Sequence, residues 1–180
     1  MAPDNPFKPT PHRGVGHAPA LRCHASATPL RGGITQAFGR AQAALTTGVV
    51  MNSNLDVVRG VYQAFAVGDI PSVLGALSPN VQWTEAAGGP YGGVSIGPNA
   101  VLENVFMRIG AEWDGFAAVP SEFIADGSTV VALGEYSGTY KATGKSFNTP
   151  FAHVWKFDGG KAASFSQYTD TVIHMQPLQP

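Results

Sequence analysis

The sequence has little of several features that mark large classes of protein. It contains a single cysteine, Cys23, so a disulfide within the chain and a site built from several cysteine ligands are excluded. Residues 51–180 carry six basic and eleven acidic residues without a cluster of Lys and Arg, which argues against a nucleic-acid-binding surface. No uninterrupted apolar stretch could span a bilayer. We therefore expect a soluble, cytoplasmic protein that has neither nucleic-acid nor membrane partners.

The first 50 residues have no sustained hydrophobic period, but they contain six prolines, three histidines and five basic residues against one acidic residue. This composition predicts disorder. Three interpretations are open: a transit-type leader, a functional tail, or upstream sequence included by a mistaken start, with Met51 as the true first residue. We favour the third. Residues 51–175 are then expected to form one domain, followed by a short tail at residues 176–180.

Two runs rich in aromatic and β-branched residues flank the segment from Asp158 to Lys161 and predict a long β-hairpin, because Gly159-Gly160 supplies the positive φ values of a tight turn. Strand alternation puts most of the aromatic side chains on one face. That face carries Phe151, His153, Trp155 and Phe157 on the first strand, and Ala163, Phe165, Gln167 and Thr169 on the second. An apolar surface with a few polar groups is typical of a small-molecule pocket.

Three helices are predicted ahead of this hairpin, because apolar residues recur there at spacings of three and four, starting near Ser53, Asp69 and Pro98. The third helix is expected to end before Gly110. Between the second and third helices, the segment VQWTE alternates as a half-buried strand does, so Trp83 and Glu85 are expected to point inward together. The Gly- and Pro-rich segment 86–98 is predicted to be a loop.

Two more strands, FAAVPSEFIAD and STVVALGEYSGTYK, precede the hairpin. Helices followed by a run of strands predict an α+β fold, in which one face of a curved sheet packs on the N-terminal helices. A strongly curved sheet encloses space. Its expected lining is aromatic and consists of Trp83, Phe151, Trp155, Phe157 and Phe165.

The domain opens with YQAFAVGDIPSVLGALSPNVQWTE, continues with YGGVSIGPNAV and closes with FAHVWKFDGGK. In this order the segments resemble the nuclear transport factor 2-like superfamily, specifically its SnoaL-like polyketide cyclase and ketosteroid isomerase-related branch. The resemblance covers about residues 53–173. It implies a cone-shaped α+β fold, with a mixed or antiparallel sheet around a deep apolar cavity. It also implies frequent homodimers packed through the outer sheet face.

A homodimer is expected from the residues as well. Val119, Phe123, Val130 and Ala132 suggest that part of the outer sheet face is apolar. Monomeric proteins seldom expose a large contiguous apolar patch, so a second copy of the chain is the expected cover.

The resemblance also implies site residues. In register with the isomerase, Glu85 takes the position of the general base. The oxyanion-hole tyrosine position holds Val61, with Tyr62 one residue away. The position of the isomerase's protonated aspartate falls at His153, or at Ala152 in a different alignment.

Two other relatives imply different residues. In the cyclase branch, His153 matches a pocket histidine, while the acid/base aspartate falls at Gln167, and Asp170 follows three residues later. Limonene-epoxide hydrolase uses an Asp-Arg-Asp arrangement, for which only Arg59 and Arg108 are available in the domain.

The sequence favours a site without metal or cofactor that binds a small hydrophobic molecule. In the enzyme interpretation, an isomerase or cyclase, Glu85 removes a proton next to a carbonyl, assisted by other polar residues. The candidate catalytic residues are Glu85, His153, Gln167 and Asp170. The candidate ligand contacts are Tyr62, Trp83, Phe151, Trp155 and Phe165.

Two alternatives stay open: a non-catalytic ligand-binding or dimeric assembly domain, and an epoxide hydrolase-like enzyme. Each candidate residue also has a structural interpretation. Glu85 could be a solvated strand end, His153 a core residue, and Asp170 the cap of a loop that begins at Thr171. A buried Glu85 with a raised pKa would favour the enzyme.

Overall fold

The computed structural model describes residues 53–180. The expected leader at residues 1–50 and the expected start at Met51 lie outside the described residues. The helical elements are α1 (Ser53–Ala66), α2 (Ile70–Gly75), α3 (Pro98–Val101), a π-helical segment (Leu102–Phe106), α4 (Met107–Glu112), α5 (Thr171–Met175) and a 3-10 turn (Gln176–Leu178). The strands are β1 (Leu77–Glu85), β2 (Gly93–Ile96), β3 (Trp113–Asp126), β4 (Thr129–Tyr140), β5 (Ser146–Asp158) and β6 (Lys161–Thr169).

The strands form one open sheet in the order β2-β1-β6-β5-β4-β3. Strands β1 and β6 run parallel, and the other neighbouring pairs are antiparallel. Register shifts interrupt the β1/β6, β3/β4 and β5/β6 pairs. Because bulges bend a strand and increase its twist, they curve the sheet around the helices. The predicted α+β fold with a curved mixed sheet is confirmed.

Helix α1 packs against β3 and β4 and buries Val58, Val61 and Tyr62, which the three-and-four spacing places on one face. Asp69 caps the start of helix α2, because its carboxylate accepts a hydrogen bond of 3.2 Å from the Ser72 amide. None of the helices among residues 53–180 is both long and apolar enough to cross a membrane.

Three local predictions need correction. The segment predicted as a loop contains β2, because Gly93–Ile96 pairs in antiparallel register with the end of β1. The third helix does not stop before Gly110 but runs on to Glu112, with a π-helical segment inside it. Helix α5 was not predicted, because five residues are too few to show a helical period.

The face assignment holds for β5 but shifts in β6. Phe151, His153, Trp155 and Phe157 are all buried, as predicted. On β6, Phe165 and Gln167 are buried, but Ala162 replaces Ala163 on the inner face. A register shift between Lys156 and Phe157 explains this difference, since one extra residue moves the alternation to the other face.

The expected outer apolar set is partly wrong. Val130 and Ala132 are fully buried on the inner face, because β4 turns alternate residues inward down to Tyr136. Phe123 is partly buried, with its ring 5.9 Å from that of Tyr62. Val119 is 60% exposed.

Gly134 continues this row of inward residues. A Cβ there would lie 2.3 Å from the Val119 carbonyl oxygen and 2.6 Å from the Phe151 ring. Only glycine fits so close an approach.

Candidate functional site

The helices and the inner sheet face border a pocket. Most of its wall is apolar and consists of Val61, Phe65, Val73, Trp83, Val105, Phe106, Ile109, Phe116, Ala118, Trp155 and Phe165. The polar groups of the wall are those of Tyr62, Glu85, Tyr91, Tyr136, His153, Gln167 and His174. This combination is typical of a site that binds a small, mainly apolar molecule.

Glu85 is the last residue of β1 and points to the inner face, as the alternation of VQWTE predicts. Its side chain is buried, and the indole Nε1 of Trp83 donates a hydrogen bond of 2.7 Å to Oε1. Burial disfavours the charged form and raises the pKa of Glu85 to about 7, although the Trp83 hydrogen bond acts in the opposite direction. The carboxyl group can therefore exchange a proton near neutral pH.

His153 lies at the centre of a buried hydrogen-bond network. The hydroxyl of Tyr62 is 2.6 Å from Nδ1, and the hydroxyl of Tyr136 is 2.5 Å from Nε2. Burial lowers the pKa of His153 to about 3, so the imidazole is neutral at physiological pH. One of its nitrogens then donates a hydrogen bond and the other accepts one.

Gln167 extends this network to β1. Its Oε1 accepts a hydrogen bond of 3.1 Å from the Ala86 amide, which fixes the orientation of the side-chain amide. The Nε2 group therefore faces Tyr136 and donates to its hydroxyl oxygen over 2.9 Å. Burial raises the pKa of Tyr136, and the charge of Glu85 raises it further, so Tyr136 keeps its proton.

The two tautomers of His153 leave different hydroxyl protons free. With the proton on Nε2, His153 donates to the Tyr136 oxygen and accepts from Tyr62, which leaves the Tyr136 proton free to bind a ligand. With the proton on Nδ1, the directions reverse and the Tyr62 proton is free. The network can thus present one donor to the pocket in either state.

The structure brings most of the predicted site residues together. Glu85, His153 and Gln167 all line the pocket, as do the predicted ligand contacts Tyr62, Trp83, Trp155 and Phe165. Phe151 is buried but does not line it. Instead, its ring stacks on His153 at a centroid distance of 4.0 Å and supports the imidazole.

Asp170 does not line the pocket, and its role in the structure is to cap a helix. Its Oδ1 accepts hydrogen bonds of 3.0 Å from the amides of Val172 and Ile173, so the residue caps helix α5 rather than the loop expected at Thr171. Neither arginine of residues 53–180 lines the pocket. Arg59 pairs with Asp56, and Arg108 pairs with Glu112. The Asp-Arg-Asp arrangement of an epoxide hydrolase therefore has no support in the described residues.

Sequence reasoning missed three polar residues of the pocket: Tyr91, Tyr136 and His174. Tyr136 shares a face of β4 with Val130 and Ala132, which the sequence analysis placed on the outer side of the sheet, so the same alternation hid it. Tyr91 lies in a Gly-rich loop without a period, and His174 lies on the short helix α5.

Tyr91 anchors the loop between β1 and β2 to helix α4. Its hydroxyl donates to Glu112 over 2.9 Å and accepts from the indole Nε1 of Trp113 over 2.7 Å. The Arg108 guanidinium lies 4.7 Å from the centre of the Tyr91 ring. These contacts fix one wall of the pocket.

The comparisons with known proteins agree with this architecture. The family model described as a SnoaL-like domain matches residues 58–165. A nuclear transport factor 2-like protein from Burkholderia thailandensis is 39% identical, and the match covers 71% of this chain and 98% of that chain with a TM-score of 0.69. A second such protein, of unknown function, from Burkholderia pseudomallei is 32% identical, with coverage of 72% and 100% and a TM-score of 0.68.

Similarity also extends to a structure that contains a small molecule. TerC, co-crystallised with polyporic acid, is 28% identical over 67% of this chain and 93% of that chain, with a TM-score of 0.61. No curated protein sequence matches the chain. The family match over more than half of the chain, together with the two Burkholderia structures, shows that the chain belongs to the SnoaL-like family of nuclear transport factor 2-like proteins.

Proposed function

We propose that the pocket binds a small, mainly apolar ketone and that Glu85 removes a proton from the carbon next to its carbonyl group. The observation that carries this proposal is a buried carboxyl group with a pKa of about 7 in an apolar pocket that also contains neutral hydrogen-bond donors. A general base works best when its pKa lies near the operating pH. A carboxyl group with such a pKa can both accept and return a proton near neutral pH.

Proton removal leaves negative charge on the carbonyl oxygen, and the pocket has a donor for it. With His153 protonated on Nε2, Tyr136 accepts hydrogen bonds from His153 and Gln167 and donates its own proton to that oxygen. Both donors polarise the Tyr136 hydroxyl and strengthen its hydrogen bond. A donor preorganised in a pocket shielded from water stabilises an enolate strongly.

If the ketone carries a double bond conjugated with the enolate, return of the proton from Glu85 to the far carbon of the dienolate would complete an isomerisation. If the molecule has a second carbonyl group, attack by the enolate carbon on it would close a ring, and the alkoxide formed would take the proton back from Glu85. Both outcomes use the same base and donor. Membership in the SnoaL-like family supports this reaction class, and the co-crystal of the similar TerC with polyporic acid supports the assignment of the pocket as a small-molecule site.

The second candidate is a binding domain without chemistry. It is favoured by the hydrogen bond between Trp83 and Glu85, because a carboxyl group that already has a buried partner can be structural. Glu85 distinguishes the two functions, since only the enzyme requires its exchangeable proton.

Solvent deuterium exchange into a panel of hydrophobic ketones tests the proposal. The wild-type protein should accelerate exchange at the carbon next to the carbonyl, and Glu85→Gln should abolish the acceleration while ketone binding persists. Glu122→Gln is the matched control, because Glu122 is an exposed carboxylate on β3. Equal exchange rates for wild type and Glu85→Gln with every ketone that binds would favour the binding domain.

We also propose that the protein is a homodimer that packs through the outer sheet face. Ile124, Val131 and Val154 are directly paired across β3, β4 and β5, which gives a continuous apolar row on that face. Ile124 is 51% exposed. Apolar rows of this kind are usually covered by a second chain.

A further inference from the structure

His174 is a buried histidine of the pocket wall for which the proposed reaction has no use. Its side chain is 1% exposed and lies among aromatic rings. The imidazole stacks on Phe147 at a centroid distance of 4.6 Å and an interplanar angle of 10°. The rings of Trp113 and Tyr136 each lie 5.7 Å away. His174 therefore contacts the same Tyr136 ring that His153 contacts at 5.4 Å, but from helix α5.

Neither ring nitrogen of His174 has a hydrogen-bond partner among residues 53–180. The great majority of buried polar side-chain atoms in proteins have a hydrogen-bond partner, and leaving such an atom without a partner costs free energy. Burial also lowers the pKa of His174 to about 4, so the ring is neutral at pH 7. A neutral imidazole offers one N–H donor and one nitrogen acceptor.

The position of His174 is fixed by polar contacts on both sides of it. Asp170 caps the start of helix α5, and the backbone amide of His174 donates to the Asp170 carbonyl over 3.1 Å. Beyond the helix, Thr143 donates to the Pro177 carbonyl over 2.6 Å, and Lys145 donates to the Gln179 carbonyl over 3.0 Å. Residues 176–180, which the sequence suggested were only a tail, thus hold the imidazole against the pocket.

We propose that His174 is a specificity residue that binds a hydroxyl group of the substrate at a point separate from the reacting carbonyl. This inference rests on the proposed function, because it assumes that the carbonyl lies between Glu85 and Tyr136. A hydroxyl group matches a neutral imidazole in either tautomer, since it both donates and accepts hydrogen bonds. The flat rings around His174 favour a planar, apolar body on which the hydroxyl is carried.

The substrate class that follows is a hydroxylated ketone, with the two oxygen groups separated by an apolar skeleton. Such a molecule places its carbonyl in the polar network of His153 and its hydroxyl on His174. A ketone without the hydroxyl leaves the imidazole unpaired. The site therefore discriminates against it, because a buried polar group without a partner weakens binding.

Binding of matched ketones to the full-length chain tests this inference. The probes are 2-tetralone and its 5-, 6- and 7-hydroxy derivatives, and the readout is quenching of tryptophan fluorescence, since Trp83 and Trp155 line the pocket. We expect at least one hydroxylated compound to bind the wild-type protein about three- to tenfold more tightly than 2-tetralone, as one buried hydrogen bond allows. His174→Phe should remove this preference without weakening the binding of 2-tetralone, and His174→Gln should retain part of it.

Thr149→Val provides the matched control. Thr149 is also fully buried, and its hydroxyl has no hydrogen-bond partner within the part of the chain that the structure describes. It does not line the pocket, so its replacement should leave the preference unchanged. The inference is overturned if wild type binds no hydroxylated tetralone more tightly than 2-tetralone. It is equally overturned if His174→Phe folds and keeps the preference.

A measurement on the wild-type protein covers the case in which His174→Phe does not fold. In protein labelled with ¹⁵N-histidine, the ring signals of His174 should shift on saturation with the preferred hydroxylated tetralone and shift much less with 2-tetralone. Unchanged signals would overturn the inference. A preference for hydroxylated tetralones without deuterium exchange would contradict only the proposed reaction. Deuterium exchange without that preference would contradict only the role of His174.

Discussion

Gln167 on β6 reaches across β5 and donates a hydrogen bond of 2.9 Å to the hydroxyl of Tyr136 on β4. Because the Ala86 amide fixes the orientation of the Gln167 amide, the direction of this bond is set by the backbone next to Glu85. The oxygen of Tyr136 therefore always acts as an acceptor toward Gln167. Its proton is left for His153 or for a ligand, and this gives the pocket its expected oxyanion donor.

Tyr136→Phe should slow ketone deuterium exchange by about two to three orders of magnitude, the usual cost of removing one preorganised oxyanion donor. His153→Ala should also slow exchange strongly, and Gln167→Ala less, because Gln167 only polarises the Tyr136 hydroxyl. Exchange rates under saturating ketone compare the variants. Tyr168→Phe removes an exposed hydroxyl and should have no effect. A Tyr136→Phe rate within about threefold of wild type would contradict the assigned role.

Exchange should also depend on pH through Glu85. The ionised carboxylate is the active form, and the pKa of Glu85 is raised to about 7. Below this pH, the rate of enzyme-catalysed exchange should fall about tenfold for each pH unit, because protonation removes the base. A pH profile of kcat/KM measures the effect. A profile that falls only near the ordinary carboxyl pKa of 4.5 would show that Glu85 is not the base.

The stability of the fold should also depend on pH through Glu85, but in the opposite direction to the exchange rate. The pKa of Glu85 is raised from 4.5 to about 7 in the fold, so the folded state holds the proton more tightly than the unfolded chain. The contribution of Glu85 to stability is thus fully present below pH 4.5 and is lost as pH rises through about 7. Relative to wild type, Glu85→Gln should gain up to about 3 kcal/mol over this range, measured by urea denaturation. A pH-independent difference would contradict the shift.

Tyr91→Phe should destabilise the fold by about 1–3 kcal/mol, because it leaves the buried Nε1 of Trp113 without its partner. It also removes the hydrogen bond to Glu112 that holds the loop between β1 and β2. Urea denaturation compares this variant with Tyr168→Phe, which removes the hydroxyl of a residue that is 60% exposed and should be neutral. Equal stability of the two variants would show that the Tyr91 contacts do not hold the wall.

Light scattering should give a mass of twice the 18.8 kDa chain at micromolar concentration. Ile124→Glu should convert the dimer to a monomer, because it places a charge in the apolar row of the outer sheet face. Val172→Glu is the control, since Val172 is 71% exposed on helix α5, away from that row. A monomeric wild type, or a dimeric Ile124→Glu variant, would contradict dimerisation through this face.

Sequence patterns predicted the parts of the site in which alternation is regular. Val81, Trp83 and Glu85 are inward because β1 keeps a period of two to its end, and the same holds for His153 on β5. Ala163 was assigned to the wrong face, because a bulge shifts the register there and alternation alone does not locate a bulge. Val130 and Ala132 were assigned to the wrong face of the sheet for a related reason. Alternation groups the residues of a strand into two faces, but it does not identify which face is the inner one.

The polar chemistry of the pocket depends on distances that no local pattern contains. Tyr62 and His153 are 91 residues apart in sequence yet 2.6 Å apart at their polar atoms. His174 lies on the five-residue helix α5, which is too short to show a helical period and which Asp170 caps. Asp170 was singled out as a carboxylate near the site, and its position is explained by the amides that it caps rather than by proton transfer.

The parallel pairing of β1 with β6 joins the first strand of the domain to the last. Glu85 ends the first strand, and the Ala86 amide beside it binds Gln167 on the last strand, across 81 residues of sequence. Strand pairs so distant in sequence form slowly, since a long loop must close before they gain contacts. The proposed base and the donor network therefore come together only after β1 has paired with β6, so catalytic activity would appear only once this long-range pairing has formed.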